Sequence, residues 1–190
     1  MNLKGKTAIF LGDSITEGAG TSCEENRYYN ILKRRCELNE VVGYGVGGTR
    51  IAIQSKPSEV ERFDRHFSLR ADEMQKNADI VVVFGGTNDS WSNAPLGEIK
   101  YSGWEEKDLF SVLPAVCYFL NLLKETLPQT KIYCLINTEI KPEIASCMKN
   151  ACKEYGITPV SFDKIDKTSG HPTIQGMKDI KNSVLKVINK

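Results

Sequence analysis

The chain has 190 residues, 41% of them hydrophobic and 26% charged, and 25 Lys plus Arg balance 24 Asp plus Glu to a net charge of +1. A chain this long buries roughly 70% of its unfolded surface, so a single domain over residues 1–190 is expected, needing neither a metal nor a disulfide to fold. The charge balance speaks against nucleic acid as a partner, and the lack of an apolar run of ~18 residues speaks against a membrane span.

Short apolar runs alternate with longer helical patterns. Thr7 to Leu11 reads as a strand closed by Gly12-Asp13-Ser14. A helix follows over about Arg27 to Leu38, where Tyr28, Ile31, Leu32, Arg35 and Cys36 keep a 3.6-residue spacing. Val41-Val42 opens a second strand leading into the glycines of Gly43 to Gly48. Val60 to Asn77 reads as a charged surface helix with Phe63, Phe67 and Met74 turned inward. Ile80 to Phe84 is β-branched, continuous and closed by Gly85-Gly86, the pattern of a strand buried on both faces.

From Ser90 to about Lys107 the pattern is irregular, and a long helix then carries Leu113, Val116, Leu120 and Leu123 and ends before Pro128. Lys131 to Ile136 is a fourth strand, Glu143 to Tyr155 a fourth helix, and Pro159 to Phe162 a fifth strand. The last helix is expected to begin near Pro172, a residue suited to the first helical turn, and to run to Ile188. Five strands alternating with five helices predict a three-layer α/β/α domain with a parallel sheet and helices on both faces.

In such folds ligands bind beyond the carboxyl ends of the strands. Small and polar residues gather there: Gly12-Asp13-Ser14, Gly45 to Thr49, and Gly85 to Asp89. The loop with His171 opens on the same edge. Acyl transfer needs a nucleophile, a base and donors for an oxyanion. Ser14 offers the hydroxyl, although a lone serine after a strand more often caps the next helix. The chain has two histidines. His66 lies in the charged run Glu61 to Arg70 and reads as a solvated helix residue. His171, between Gly170 and Pro172, has the ring that titrates near neutrality and suits a general base, though a loop histidine taken alone is more often structural. Asn88 offers an amide donor, and Gly48 lets a backbone N–H approach a ligand closely.

Together these residues resemble the GDSL/SGNH hydrolases. Gly12-Asp13-Ser14-Ile15-Thr16-Glu17-Gly18 is similar to the first block of that family, Gly45 to Thr49 to the second, Gly86-Thr87-Asn88-Asp89 to the third, and Gly170-His171-Pro172 with Gly176 to the last. The resemblance implies a flavodoxin-like sheet and a serine esterase without cofactor or metal. Ser14 would be the nucleophile, His171 the base, and Gly48, Ser14 and Asn88 the oxyanion donors. One departure stands out. The family's aspartate three residues before the histidine is here Thr168, which leaves three alternatives: a displaced carboxylate such as Asp166 orients the ring, a carbonyl does so in a Ser-His dyad, or activity has decayed.

Two other readings compete: a weak or inactive ligand-binding relative, suggested by Thr168, and a nucleotide-binding domain, suggested by the Gly-x-Gly-x-x-Gly match at Gly43 to Gly48. Trp91, Tyr101 and Trp104 are candidates for a pocket wall and Arg50 for an anion contact. The expected partner is a small ester, with an acetylated carbohydrate as the first candidate. The six cysteines form no Cys-x-x-Cys pair. Most of them lie among apolar residues and read as small buried hydrophobes, in a protein expected in a reducing cytoplasm with no secretory signal.

Overall fold

The computed structural model describes residues 2–189. Its frame is a five-stranded parallel sheet of β1 (Thr7–Gly12), β2 (Glu40–Gly45), β3 (Ile80–Phe84), β4 (Lys131–Ile136) and β5 (Thr158–Ser161), in the order β2-β1-β3-β4-β5. Each strand is a short run rich in apolar or β-branched residues; β3 is buried from end to end, and β1 and β4 are buried beyond their first residue. The order reverses between β1 and β3, the switch point where doubly wound sheets open a crevice. Gly12 pairs with both Gly45 and Phe84, so three strands end level with one another at that crevice.

The period of two divides the strand side chains between two cores. Ile9, Leu11, Val81, Val83, Ile132 and Cys134 pack with α3 (Phe67–Glu73), α5 (Val112–Thr126) and α6 (Pro142–Glu154). Ala8, Phe10, Ile80, Val82, Phe84, Tyr133 and Leu135 pack with α2 (Tyr28–Cys36) and α7 (Ile174–Ile188). α5 is apolar on nearly every side because it is wedged between the sheet and its neighbours α3 and α6. On the opposite face Phe10 stacks on Tyr29 at 5.2 Å and meets the edge of Tyr28 at 5.6 Å. No helix among the described residues is long and apolar enough to cross a membrane.

The structure departs from the sequence-based expectation in four places. The surface helix expected over Val60 to Asn77 is a 3₁₀ turn, Glu61–Asp64, followed by the short α3. The Asp64 carboxylate accepts the Ser58 N–H and the Gln54 amide, which turns the chain back on itself. His66 then caps α3, its Nδ1 accepting the Leu69 N–H at 3.3 Å, so it is a half-buried cap and not a solvated helix residue. Two short helices flank the crevice: α1 (Ser14–Glu17) and α4 (Thr87–Trp91), the latter reaching into the stretch expected to be irregular. Pro172 belongs to a small hairpin, β6 (Lys167–Thr168) with β7 (His171–Pro172), and Thr173 caps α7 instead. Four of the six cysteines are buried, in keeping with the expectation for most of them; Cys23 is exposed and Cys36 half-buried.

Phe10→Ala should lower the unfolding free energy by about 3–5 kcal/mol, since it removes a fully enclosed ring from two aromatic partners. Urea denaturation followed by circular dichroism measures this, and a loss below about 1 kcal/mol would show that the face repacks.

Candidate active site

β1 delivers Ser14 through a tight turn. Asp13, not Ser14, is the cap of α1: its Oδ1 accepts the Ile15 N–H at 3.0 Å and leaves the Ser14 hydroxyl free for other work. The turn demands glycine at position 12, because a methyl there would stand 2.0 Å from Thr16 Oγ1 and 2.8 Å from the Phe84 carbonyl. Thr16 Oγ1 in turn lies 3.1 Å from the Tyr28 hydroxyl, which ties α1 to α2.

The loop after β2 curls under Ser14. Val46 N–H donates to the Gly12 carbonyl at 3.1 Å, and Gly47 N–H to Glu17 Oε2 at 3.0 Å. Glu17 is also held by Arg62, 2.8 Å away. Gly48 has φ +80°, and a methyl on it would strike the Phe63 ring at 2.1 Å. β3 ends at Gly85-Gly86, and α4 then carries Asn88 to the same loop, where its Nδ2 donates to the Thr49 carbonyl at 2.9 Å. One residue on, the buried Asp89 carboxylate accepts the Ile51 and Ala52 N–H groups.

His171 arrives on the β6–β7 hairpin. Ser169 (φ +50°) and Gly170 (φ +79°) form its two-residue turn with both central residues left-handed, the geometry of a type I′ turn. His171 Nε2 lies 3.0 Å from Ser14 Oγ. Thr168 is its direct cross-strand partner. The hairpin is anchored by Lys167, whose side chain is 7% exposed and whose Nζ contacts Asn137 Oδ1 at 2.8 Å and Glu139 Oε2 at 3.1 Å. Asn137 passes the connection on, donating to Thr87 Oγ1 at 2.9 Å beside Asn88.

Beneath these loops lies a charged cluster that the sequence does not announce. Arg70 of α3 is 1% exposed, and its guanidinium donates to the carbonyls of Gly12, Tyr44 and Arg65 and to Thr49 Oγ1. It also stacks on the Phe67 ring, 4.6 Å from the centroid. Burial lowers its pKa to about 10. Asp13 is equally buried, and its Oδ2 has no hydrogen-bond partner. Burial, with a smaller push from Asp89, raises its pKa to about 7 against the pull of the Ile15 N–H and of Arg70. Burial also raises Asp89.

Ser14 and His171 are thus in hydrogen-bond contact, with Asn88 bonded to the residue next to Gly48. Asp166 is placed differently from the displaced acid expected of it. Its carboxylate accepts the Thr173 hydroxyl, and no hydrogen bond joins it to His171 among the described residues. Its carbonyl is pressed against Gly176, where a methyl would lie 2.0 Å away. Two of the three candidate wall aromatics are employed elsewhere: Trp104 packs on Tyr118 and donates to the Lys100 carbonyl, and Tyr101 packs on Tyr155. No cluster of metal-ligating side chains occurs among the described residues.

The family model for GDSL-like lipases/acylhydrolases matches residues 26–188, beginning after the segment that holds Ser14. The chain is similar over 97% of its length to a GDSL-like lipase from Bacteroides uniformis, of which it covers 95%, at 30% identity and a TM-score of 0.84. It is similar over 97% of its length to a GDSL-like lipase from Bacteroides ovatus, covering 98% of that chain at 28% identity and a TM-score of 0.87. A carbohydrate acetylesterase family member from Sinorhizobium meliloti shares the fold, at 14% identity and a TM-score of 0.69 over 97% of both chains. No protein of curated function matches the sequence.

The carboxyl of Asp13 has a linkage consequence. Its folded pKa of about 7 lies above the unfolded value, so the folded state holds more protons between roughly pH 4 and 7, and stability falls as pH rises through that window. Asp13→Asn keeps the Ile15 cap but cannot ionise, so its stability relative to the parent should improve between about pH 5 and about pH 8. Urea midpoints at the two pH values decide it: an equal difference at both would show that Asp13 is ionised throughout.

Proposed function

The chain belongs to the GDSL-like lipase/acylhydrolase family, a family of ester hydrolases, and on that premise we propose that it cleaves short-chain carboxylic esters through an acyl-enzyme on Ser14, with His171 as the general base. The observation that carries this reading is the 3.0 Å contact between Ser14 Oγ and His171 Nε2. It has the length required of a nucleophile and its base.

In the proposed reaction His171 Nε2 takes the hydroxyl proton as Ser14 Oγ bonds to the acyl carbon. The carbonyl oxygen gains the charge and is held by the backbone N–H groups of Gly48 and Ser14 and by the Asn88 amide. Asn88 spends one N–H on the Thr49 carbonyl, which fixes the amide and leaves its second N–H for the oxyanion. The carbon–oxygen bond to the alcohol then breaks, and the proton on Nε2 passes to the departing oxygen. Water repeats the sequence: His171 removes its proton, the new bond forms, and Ser14 leaves with the proton restored.

The base works here as half of a dyad. With Asp166 committed to Thr173 and a threonine across from His171, the ring is placed by its hairpin. The type I′ turn, the Lys167 anchor and the close pass of Gly20, where a methyl would lie 3.1 Å from His171 Cβ, all limit its freedom.

Phe63 against Gly48 and the Glu17–Arg62 pair against Gly47 bound the acyl side with bulk and charge. The apolar cavity behind Gly85, lined by Ile51, Phe67, Val83 and Met148, has about 10 Å³ of free space, too little for a chain. A small acyl group fits these surroundings. The proposed substrate is an acetyl ester, an acetylated carbohydrate in the first instance, and the proposed setting is a reducing cytoplasm, in keeping with six free cysteines.

Ser14→Ala should abolish hydrolysis of p-nitrophenyl acetate and labelling by a fluorophosphonate; retained turnover would sink the assignment. Asn88→Ala should lower kcat by about 10²–10³ if its amide holds the oxyanion. A kcat within about twofold of the parent would take Asn88 out of the mechanism.

A further inference from the structure

We infer that Trp91 is a stacking platform for the alcohol half of the substrate, and that this half is a pyranose ring; the inference rests on the ester-hydrolase reading above. Trp91 is 55% exposed, and among the described residues no large hydrophobic side chain is more so. Its position, and not its exposure alone, carries the assignment. Asn88 and Trp91 stand three residues apart on α4, and side chains at that spacing share a helix face. Asn88 reaches toward the Gly48 loop through the Thr49 carbonyl. Trp91 reaches the other wall: a methyl placed on Gly170 would lie 2.9 Å from its Cη2 atom. The indole therefore lies over the turn that presents His171.

Chemistry then says which half of the ester it meets. The histidine that deprotonates the nucleophile must return that proton to the leaving oxygen, so the leaving alcohol has to sit on the base's side of the acyl carbon. The oxyanion donors, Phe63 and the Glu17–Arg62 pair lie around the Gly48 loop. The group that lies against the base's own turn is Trp91. It faces the alcohol.

The surroundings select the kind of alcohol. The indole is a flat apolar face, and the chain beside it is polar. Ser169 of the turn and Thr138 and Glu139 after β4 are exposed, and that last segment is drawn to α4 by the Lys141 N–H donating to Ser90 Oγ at 2.9 Å. An open π-face over a turn that carries the exposed Ser169 matches a ring with C–H bonds on its face and hydroxyls at its edge. An alkyl alcohol would need an enclosing apolar groove, whereas this indole is open to water over half its surface.

The test compares three acetates with different alcohols: ethyl acetate, octyl acetate and a monoacetylated methyl xyloside. Trp91→Ala should lower kcat/KM on the sugar acetate by about tenfold or more beyond its effect on ethyl acetate, chiefly through KM, and Trp91→Phe should recover much of the loss. An equal loss on all three acetates would make Trp91 a prop for the hairpin and overturn the inference. So would a selective loss on octyl acetate, which would mark an apolar alcohol site, and so would no loss on the sugar acetate. A second measurement needs no turnover. The chain has only two tryptophans, and Trp104 is packed with its N–H bonded. Xylo-oligosaccharide added to Ser14→Ala should shift the tryptophan emission, and the shift should vanish when Trp91→Phe is added; emission that never responds would overturn the platform. If the parent protein neither cleaves any acetate nor labels with a fluorophosphonate, the ester-hydrolase reading itself has failed, and with it the inference. A parent active on ethyl acetate but indifferent to Trp91 fails the inference alone.

Discussion

The sheet edge where Ser14 and His171 meet rests on one buried guanidinium. Where β1 and β2 end, the chains diverge into loops, and the Gly12 and Tyr44 carbonyls lie away from water with lone pairs that need a donor. A buried polar group in that state costs about 1–3 kcal/mol. Arg70 meets the need from below, placing its rigid fork of donors on the Gly12 and Tyr44 carbonyls and on Thr49. A single flat cation thereby sets the spacing between the turn that holds Ser14 and the loop that holds Gly48. Lysine could not replace it, because one ammonium lacks the planar spread of five N–H bonds. The charge is tolerated because every face of it is occupied, by carbonyls, a hydroxyl and the Phe67 ring. Asp13 and Asp89 complete the cluster, each spending its carboxylate on the backbone of one of the loops that Arg70 spaces.

The sheet and the meeting of Ser14 with His171 are legible in the sequence for a local reason. β-branched runs such as Ile80 to Phe84 have no other use, and glycine beside a serine or histidine at a strand end marks a tight turn at the crevice. What escapes the sequence is whatever depends on distant partners. Arg70 sits in a run of charges, Glu61 to Arg70, that has the composition of a solvated helix. Only the strand ends 58 and 26 residues earlier turn it into a buried post. Lys167 is hidden in the same way, its partner Asn137 being 30 residues away. Asp166 misleads in the opposite sense. An acid near His171 invites a catalytic role, but Thr173 and the approach of Gly176 claim it for the start of α7. A cue did exist for the hairpin: Ser169-Gly170 between Lys167-Thr168 and His171-Pro172 is a two-residue turn of the kind that left-handed conformations favour.

Two kinds of support thus share the site. Below, the buried cluster of Arg70, Asp13 and Asp89 fixes the backbone of the loops that hold Ser14 and Gly48. To one side, a hairpin outside the main sheet presents His171, connected through Lys167, Asn137 and Thr87 to the helix that carries Asn88. With no carboxylate bonded to His171 among the described residues, the placement of the imidazole falls to backbone and anchors, and small residues crowd there. Gly20 and Gly170 give up side chains so that the loop and the indole can close around His171.

The Ser14–His171 contact joins residues 157 positions apart. During synthesis most of the sheet emerges before His171 does. β1 to β4 can pair, and the Gly48 loop can settle on Arg70, while the hairpin is still inside the ribosome. Closing so long a loop costs only slightly more entropy than closing a short one, so the late contact carries little thermodynamic burden. Its timing matters more. A chain whose first four strands have paired thus holds Ser14 without its histidine partner, and the Ser14–His171 contact forms only after the hairpin has followed.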